Sequence, residues 1–159
     1  MKILALDTAT QKIGWAVTIL GKNKTSIKDF GLLSFPKMPF GQMLNSFRKE
    51  LLSMSDRVKP DYIAVESLHH MLNAKTVKKL AGVIAIVHEV TWEYMSSVPL
   101  EMGPSEIRKV LGTNRKNGKL SKRATRLLIN KRFGLGLVEK QDNESDAIAL
   151  GWTCRKLLF

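Results

Sequence analysis

The stretch Lys2-Ile3-Leu4-Ala5-Leu6-Asp7 places a carboxylate directly after a run of apolar residues. The same arrangement recurs at Tyr62-Ile63-Ala64-Val65, which Glu66 follows. Short apolar runs of this kind are typical of strands buried on both faces of a sheet, so the first polar residue after each run emerges at a sheet edge. Asp7 and Glu66 are therefore predicted to lie where functional sites are commonly built.

A third carboxylate, Asp146, begins the small apolar segment 147–151 near the end of the sequence. In a helix, Asp142 and Asn143 precede Asp146 by four and three positions, so either can share its face. Acidic residues also favour helix N-termini through capping and the helix dipole, which is the structural alternative. Because the segment after Asp146 is expected to lie tightly on the sheet, its carboxylate is predicted to point inward.

Clustered carboxylates require a compensating cation. Two carboxylates ~4 Å apart repel each other by about 4 kcal/mol in a protein-like dielectric. Oxygen ligands suit hard divalent ions, which indicates Mg²⁺ or Mn²⁺. Asp7 alone could be a turn former or a helix cap, whereas Glu66 has no adjacent Arg or Lys to pair with and is harder to explain structurally.

The composition is that of one globular domain, residues 1–159, with 44% hydrophobic residues. A chain of this length buries enough surface to fold without a metal or a disulfide. Cys154 is the single cysteine, so it cannot form an internal bridge and is expected to pack as a small apolar residue. Asp7 interrupts the apolar start too early for a signal peptide, and no membrane span is expected. These features predict a cytoplasmic protein.

The net charge of +12 predicts an anionic partner. Residues 107–133 contain no acidic residue, which is unusual for an ordinary solvated face because such faces carry mixed signs. Phosphate-backbone binding is the favoured interpretation; an anionic membrane surface fits less well, since the segment lacks an apolar face with aromatic anchors. The basic residues are Arg108, Lys109, Arg115, Lys116, Lys119, Lys122, Arg123, Arg126, Lys131 and Arg132.

The order of predicted elements indicates an α/β fold, with strands first and then helices alternating with strands around a mixed sheet. A hairpin turn is expected at Gly21-Lys22-Asn23-Lys24. Strands are predicted at residues 2–7, 13–20, 25–34, 62–65 and 98–101. Helices are predicted at residues 42–57, 74–95, 122–133 (with Ser121 as N-cap) and 143–157, with a further helix beginning at Pro104.

Three segments resemble one family. The segments KILALDTATQKIGWAVT (2–18), YIAVES (62–67) and ESDAIALGW (144–152) resemble the RuvC-type Holliday junction resolvases of the ribonuclease H-like superfamily. The resemblance spans nearly the whole chain. It implies a five-stranded mixed sheet flanked by helices on both faces, a homodimer, and paired hydrolysis of phosphodiesters in four-way DNA junctions, with two Mg²⁺ or Mn²⁺ ions per site. DNA recombination and repair, on nucleoid or viral DNA, would be the setting.

Matching the motifs places metal ligation and catalysis on Asp7, Glu66 and Asp146. The family usually has a fourth ligand, Asp or His, three residues before the last Asp, and Asn143 stands there. An amide oxygen can still coordinate a metal, and Asp142 could substitute from one turn away. The sequence leaves open whether Asn143 is the natural residue or a replacement of an aspartate.

The resemblance also implies residues that contact DNA. An aromatic residue after the second carboxylate stacks on bases in the family, and His69 and His70 stand in this region. Lys122 matches a catalytic basic residue at the start of the penultimate helix. Phosphate contacts are expected from the basic segment, namely from Arg108, Lys109, Arg115, Lys116, Lys119, Lys122 and Arg123.

Two rival functions remain at this point. Asn143 would suit a catalytically impaired, structure-selective DNA-binding protein of the same fold, and titration with metal would discriminate it from an enzyme. An actin-like phosphotransferase is disfavoured because Thr8-Ala9-Thr10 lacks the glycine that such a turn needs. The apolar face of the helix at 74–95 is either a dimer surface or part of the core.

Overall fold

The chain folds around one five-stranded mixed sheet in a computed structural model that describes residues 1–68, 73–112 and 122–159. The strand order is β3-β2-β1-β4-β5. The strands are β1 (Lys2–Asp7), β2 (Lys12–Leu20), β3 (Thr25–Ser34), β4 (Tyr62–Glu66) and β5 (Leu100–Met102). The helices are α1 (Phe40–Val58), α2 (Ala74–Met95), α3 (Pro104–Val110), α4 (Lys122–Phe133), α5 (Asp142–Thr153) and α6 (Arg155–Leu158), with a 3₁₀ turn at Glu139–Gln141.

The predicted five-stranded α/β fold is confirmed. Several predicted element ends differ from the structure, and two of these differences have a visible cause. Strand β5 begins at Leu100, because Val98 lies 63% exposed in the loop after α2 and pairing with β4 starts at Leu100. The last helix does not run unbroken to Leu157. The chain tightens at Cys154, whose carbonyl accepts a hydrogen bond from the Leu157 N–H three residues on.

The central strand β1 is buried on both faces. Successive side chains of a strand point to opposite faces, so Leu4 and Leu6 pack in the cluster that α1 and α2 cover. Ile3 and Ala5 pack on the other face with Leu150 of α5. Helices therefore cover both faces of the sheet, as the near-continuous apolar run in β1 predicted.

The buried side of α2 belongs to the core. Leu80, Val83, Ile84 and Val87 are buried, and the last three lie in the cluster that also contains α1. The structure bears out the core interpretation for these four residues, and the dimer surface on this helix stays a prediction. None of the helices in the described part of the chain has the length and apolar character of a membrane span.

Strand pairing decides where the carboxylates emerge. Strands β1 and β4 are parallel, with Leu6 opposite Val65, so Asp7 and Glu66 follow at the same edge of the sheet. Strand β2 runs antiparallel to β1 and places Gly14 opposite Asp7.

Helix α5 lies directly on this edge, and glycine makes the approach possible. A Cβ atom added at Gly14 would lie 2.1 Å from the Asn143 carbonyl oxygen, and one added at Gly151 would lie 2.4 Å from Thr18 Oγ1. Residues 147–151 of the helix are all buried, which confirms the tight packing expected from their small side chains. Gly14 and Gly151 thus set the height of Asp146 above the sheet.

We expect Gly14→Ala to lower the midpoint of thermal unfolding, because the new methyl group collides with backbone atoms that cannot rotate away. Overpacking of this kind costs roughly 1–3 kcal/mol, or about 3–10 °C in a chain of this size. Circular dichroism at the helix band measures the change. Gly41→Ala is the matched control, since nothing lies within 4 Å of its added Cβ atom in α1. Equal melting of the two variants would contradict the close approach of α5.

Candidate active site

Two sheet strands and one helix converge on a cavity of about 270 Å³. The parallel ends of β1 and β4 supply Asp7 and Glu66, and the first turns of α5 supply Asn143 and Asp146. The three carboxylates predicted from the sequence therefore line one cavity. Its remaining lining is Thr8, Ala9, Ser67, Leu68, Leu80, Pro104 and Lys122.

Burial and mutual repulsion act on the carboxylates of this cavity. Burial raises the pKa of Asp7 well above its usual value, and the charges of Asp146 and Glu66 add to the rise while Lys122 opposes it. Burial also raises the pKa of Asp146 to about 6, with Lys122 opposing the rise and Glu66 and Asp142 adding to it. The three acidic groups are thus close enough to repel one another, and Lys122 is close enough to attract Asp7 and Asp146.

The donor set suits a hard divalent cation. The carboxylates of Asp7, Glu66 and Asp146 offer only oxygen atoms as ligands. The amide of Asn143, which also lines the cavity, offers one oxygen beside a nitrogen. Their shared repulsion is what a cation would relieve. Within the described ranges, no three His, Cys, Asp or Glu side chains already stand in a metal-binding arrangement. Ion binding would accordingly draw the acidic side chains together.

Asp142, the alternative ligand predicted from the sequence, faces a different partner. Its carboxylate accepts a hydrogen bond from Arg126 Nη1, and the two side chains form an ion pair. Asp142 is not among the residues that line the carboxylate cavity. Its role as a ligand stays a prediction, and its charge reaches the site only through the electrostatic effect on Asp146.

A second cavity of about 290 Å³ adjoins the first. The two share Glu66, Pro104, Lys122 and Asp146, so Lys122 belongs to the walls of both. Apolar groups of α3 and α5 form much of the second cavity's wall. The residues found only there are Ile107, Arg108, Leu111, Thr125 and Ala149.

The predicted DNA contacts are only partly within the described chain. Arg108 lines the second cavity, and its Nε donates a hydrogen bond to the Pro104 carbonyl at 3.1 Å. Lys109 and Arg123 are exposed on α3 and α4. The remaining predicted contacts, His69, His70, Arg115, Lys116 and Lys119, lie outside the described residues.

Sequence reasoning assigned no individual role to two residues that shape the site. Arg126 was only one member of the basic segment, although its position four residues after Lys122 places both on one helix face. Gly14 was noted only as part of a motif. Its close approach to α5 depends on long-range packing, which no local pattern reveals.

Asp146→Asn should stabilise the metal-free protein near neutral pH. The folded carboxylic acid keeps its proton up to about pH 6, as its raised pKa requires, whereas the unfolded chain releases it near pH 4. The folded state therefore binds more protons across this window, and stability falls as pH rises through it. The amide removes this loss, so we expect about 3 kcal/mol of added stability, or about 6–12 °C, at about pH 7.5.

Thermal unfolding in EDTA between about pH 3.5 and pH 8 measures the effect. The gain should disappear below about pH 4, where both the native acid and the amide are neutral. Asp56→Asn, an exposed position on α1, controls for the loss of an acidic group. A gain that did not depend on pH would mean that the burial and repulsion acting on the Asp146 carboxylate are not its cause.

Comparison with known proteins agrees with this geometry. Residues 3–154 match the family model of crossover junction endodeoxyribonuclease RuvC. The chain is 28% identical over 155 residues to the protein of that name from Fusobacterium nucleatum, covering 94% of this chain and 77% of the relative. It is 26% identical over 156 residues to that of Carboxydothermus hydrogenoformans, covering 96% and 94%.

The fold matches a solved structure as well. The structure described as T. thermophilus RuvC in complex with Holliday junction substrate superposes with a TM-score of 0.80 at 18% identity, covering 96% of this chain and 92% of that one. At this identity the match concerns the fold. That fold is the same five-stranded sheet with flanking helices found here.

Proposed function

The chain belongs to the RuvC family of crossover junction endodeoxyribonucleases, and from this premise we propose that it resolves Holliday junctions at the cavity lined by Asp7, Glu66 and Asp146. The observation that carries the proposal is the convergence of these three carboxylates with Lys122 on one cavity. Branched DNA, and four-way junctions above all, is the proposed substrate. DNA recombination and repair in the cytoplasm, on nucleoid or viral DNA, is the proposed setting.

We assign metal binding to Asp7, Glu66 and Asp146, with the Asn143 amide as a neutral fourth ligand. Mg²⁺ and Mn²⁺ fit this oxygen-rich set, and the burial and mutual repulsion that raise the pKa of Asp7 and of Asp146 support a site built for positive charge. Ions held there would supply the activation of a water molecule and the stabilisation of the departing 3′-oxygen. Asp7, at the end of the central strand β1, would be one of the residues that hold them.

Lys122 supplies the protein's own positive charge. It lines both cavities, and its ammonium group lowers the pKa of Asp7 and of Asp146, which places it beside the carboxylates. A cation held there offsets the negative charge that develops on the phosphate in the transition state. Arg108 of α3 lines the second cavity, which shares Lys122 with the first, so the bound strand would pass along α3.

A homodimer suits a substrate with approximate two-fold symmetry. An isologous pair of subunits would present two such cavities to two strands of like polarity. Paired nicks in one junction then follow from one site per subunit.

A second candidate function is favoured by Asn143 alone. A neutral amide at the fourth ligand position removes one negative charge from the metal site, as in a protein that binds junctions without cutting them. Incubation of a synthetic four-way junction and a matched linear duplex with Mg²⁺, Mn²⁺ or EDTA separates the two. Paired nicks that need metal support the enzyme, whereas binding without cutting favours the second candidate, and Asn143→Asp would then separate an inactivated enzyme from a true binding protein.

Asp7→Asn should abolish cleavage and keep or tighten junction binding. The substitution removes the carboxylate at the centre of the proposed metal site, so cleavage should fall by at least about a hundredfold. Binding should persist because one source of repulsion toward phosphate is gone. Denaturing gels measure cutting and mobility-shift titration in EDTA measures binding, with Asp56→Asn as the control. Undiminished cutting by Asp7→Asn would refute the metal-site assignment.

Replacement of Lys122 and Arg123 together by alanine should weaken junction binding and flatten its salt dependence. Removal of one cation from a phosphate group changes the slope of log affinity against log salt by about 0.9. The double variant Lys22→Ala and Lys24→Ala is the control, because it removes the same charge. These exposed residues lie in the turn between β2 and β3, at the end of the sheet far from Asp7. An unchanged slope in the first variant would place the DNA surface elsewhere.

A further inference from the structure

Arg126 connects the helix that carries Lys122 to the helix that carries Asp146. It lies on α4 and is only 9% exposed. Its Nη1 donates hydrogen bonds to the Asp142 carboxylate and, at 3.3 Å, to the Glu139 carbonyl. Asp142 is the first residue of α5, and Glu139 belongs to the 3₁₀ turn before it. One side chain thus holds the start of α5 at two points.

The ion pair of Arg126 and Asp142 is more sheltered from solvent than the ion pair of Arg48 and Glu89. The side chains of Arg126 and Asp142 are 11% and 26% exposed, against 31% and 52% for Arg48 and Glu89. A buried guanidinium without hydrogen-bond partners costs free energy, so Arg126 is held in the geometry that keeps its contacts with Asp142 and Glu139. The planar fork of arginine further restricts where its partners lie.

A spacing of four residues on each helix relates the ion pair of Arg126 and Asp142 to the position of Lys122 at the active site. Lys122 and Arg126 lie one turn apart on one face of α4, and Asp142 and Asp146 lie one turn apart on one face of α5. Arg126 contacts Asp142, while Lys122 lies beside Asp146 at the cavity. The helices therefore run antiparallel here, with two cation and carboxylate pairs about one helical turn, roughly 6 Å, apart.

We propose that Arg126 is a positioning residue, which fixes Lys122 opposite Asp146 by clamping α4 to the start of α5 through Asp142 and the Glu139 carbonyl. This inference rests on the proposed role of Lys122 in cleavage. Lys122 is itself exposed at the first residue of α4, so it depends on a neighbouring turn for its location. The same clamp turns the Asp142 carboxylate toward Arg126 and away from the residues that line the cavity.

A double-mutant cycle tests the proposal in single-turnover cleavage of a saturating four-way junction in Mg²⁺. The cycle compares wild type, Arg126→Gln, Lys122→Ala and the double variant. We expect Arg126→Gln to slow the cleavage rate about tenfold, because small displacements of catalytic groups have large effects on rate. The junction dissociation constant in EDTA should stay within about twofold. The double variant should cut no more slowly than Lys122→Ala, since Arg126 acts through that lysine.

Two further variants distinguish positioning from general stability. Arg126→Lys should restore part of the rate, because an ammonium group keeps the positive charge near Asp142 but lacks the planar guanidinium that holds Nη1 against both Asp142 and Glu139. Arg48→Gln makes the same chemical change at an ion pair between α1 and α2 whose residues line neither cavity, and it should leave the cleavage rate unchanged.

Additive effects of Arg126→Gln and Lys122→Ala would overturn the proposal, as would wild-type cutting by Lys122→Ala. Should Arg126→Gln fail to fold by circular dichroism, Asp142→Asn enters the same cycle, because it leaves the contact between Arg126 and Glu139 in place. A wild-type protein that cuts no junction would instead refute the proposed function, so the two failures are distinguishable.

Discussion

Repulsion among Asp7, Glu66 and Asp146 is the constraint around which this molecule is organised. Left to solvent, three such groups would separate, yet the fold holds them on one cavity and raises the pKa of Asp7 and of Asp146 in doing so. The cost must be met by packing elsewhere. Packing of the apolar sheet that ends at the cavity offsets this repulsion. A cation, or the Lys122 ammonium group, reduces the repulsion when it lies among the carboxylates.

The sheet can impose this arrangement because β1 is buried on both faces. Slipping β1 by one residue would exchange the side chains that face α2 for those that face α5, which the packing of both clusters forbids. The register between β1 and β4 then fixes Asp7 beside Glu66. Helix α5 closes the cluster only because Gly14 carries no side chain where the Asn143 carbonyl lies. Ordinary core packing thereby produces a charged site.

The sequence predicted those features of the structure that depend on the composition of a short segment. The apolar runs before Asp7 and Glu66 located the strands and the carboxylates at their ends, because burial on both faces leaves a distinct composition. The same reasoning could not find the pair of Arg126 and Asp142, which joins residues sixteen positions apart. Nor could it place the start of β5, since Val98 has a high strand propensity but pairing with β4 decides the boundary.

Asn143 and Asp142 are best understood together. The amide takes a charge away from the cavity, and Asp142, one residue earlier, carries a charge that Arg126 pairs outside it. Among the described residues, the cavity is therefore lined by three carboxylates rather than four or five, with one lysine beside them. Fewer negative charges lower the repulsion that the metal-free fold must bear, and they also lower the attraction for a cation. Arg126 thus acts on the site in two ways. It fixes the location of Lys122, and it pairs with the Asp142 carboxylate outside the lining of the cavity.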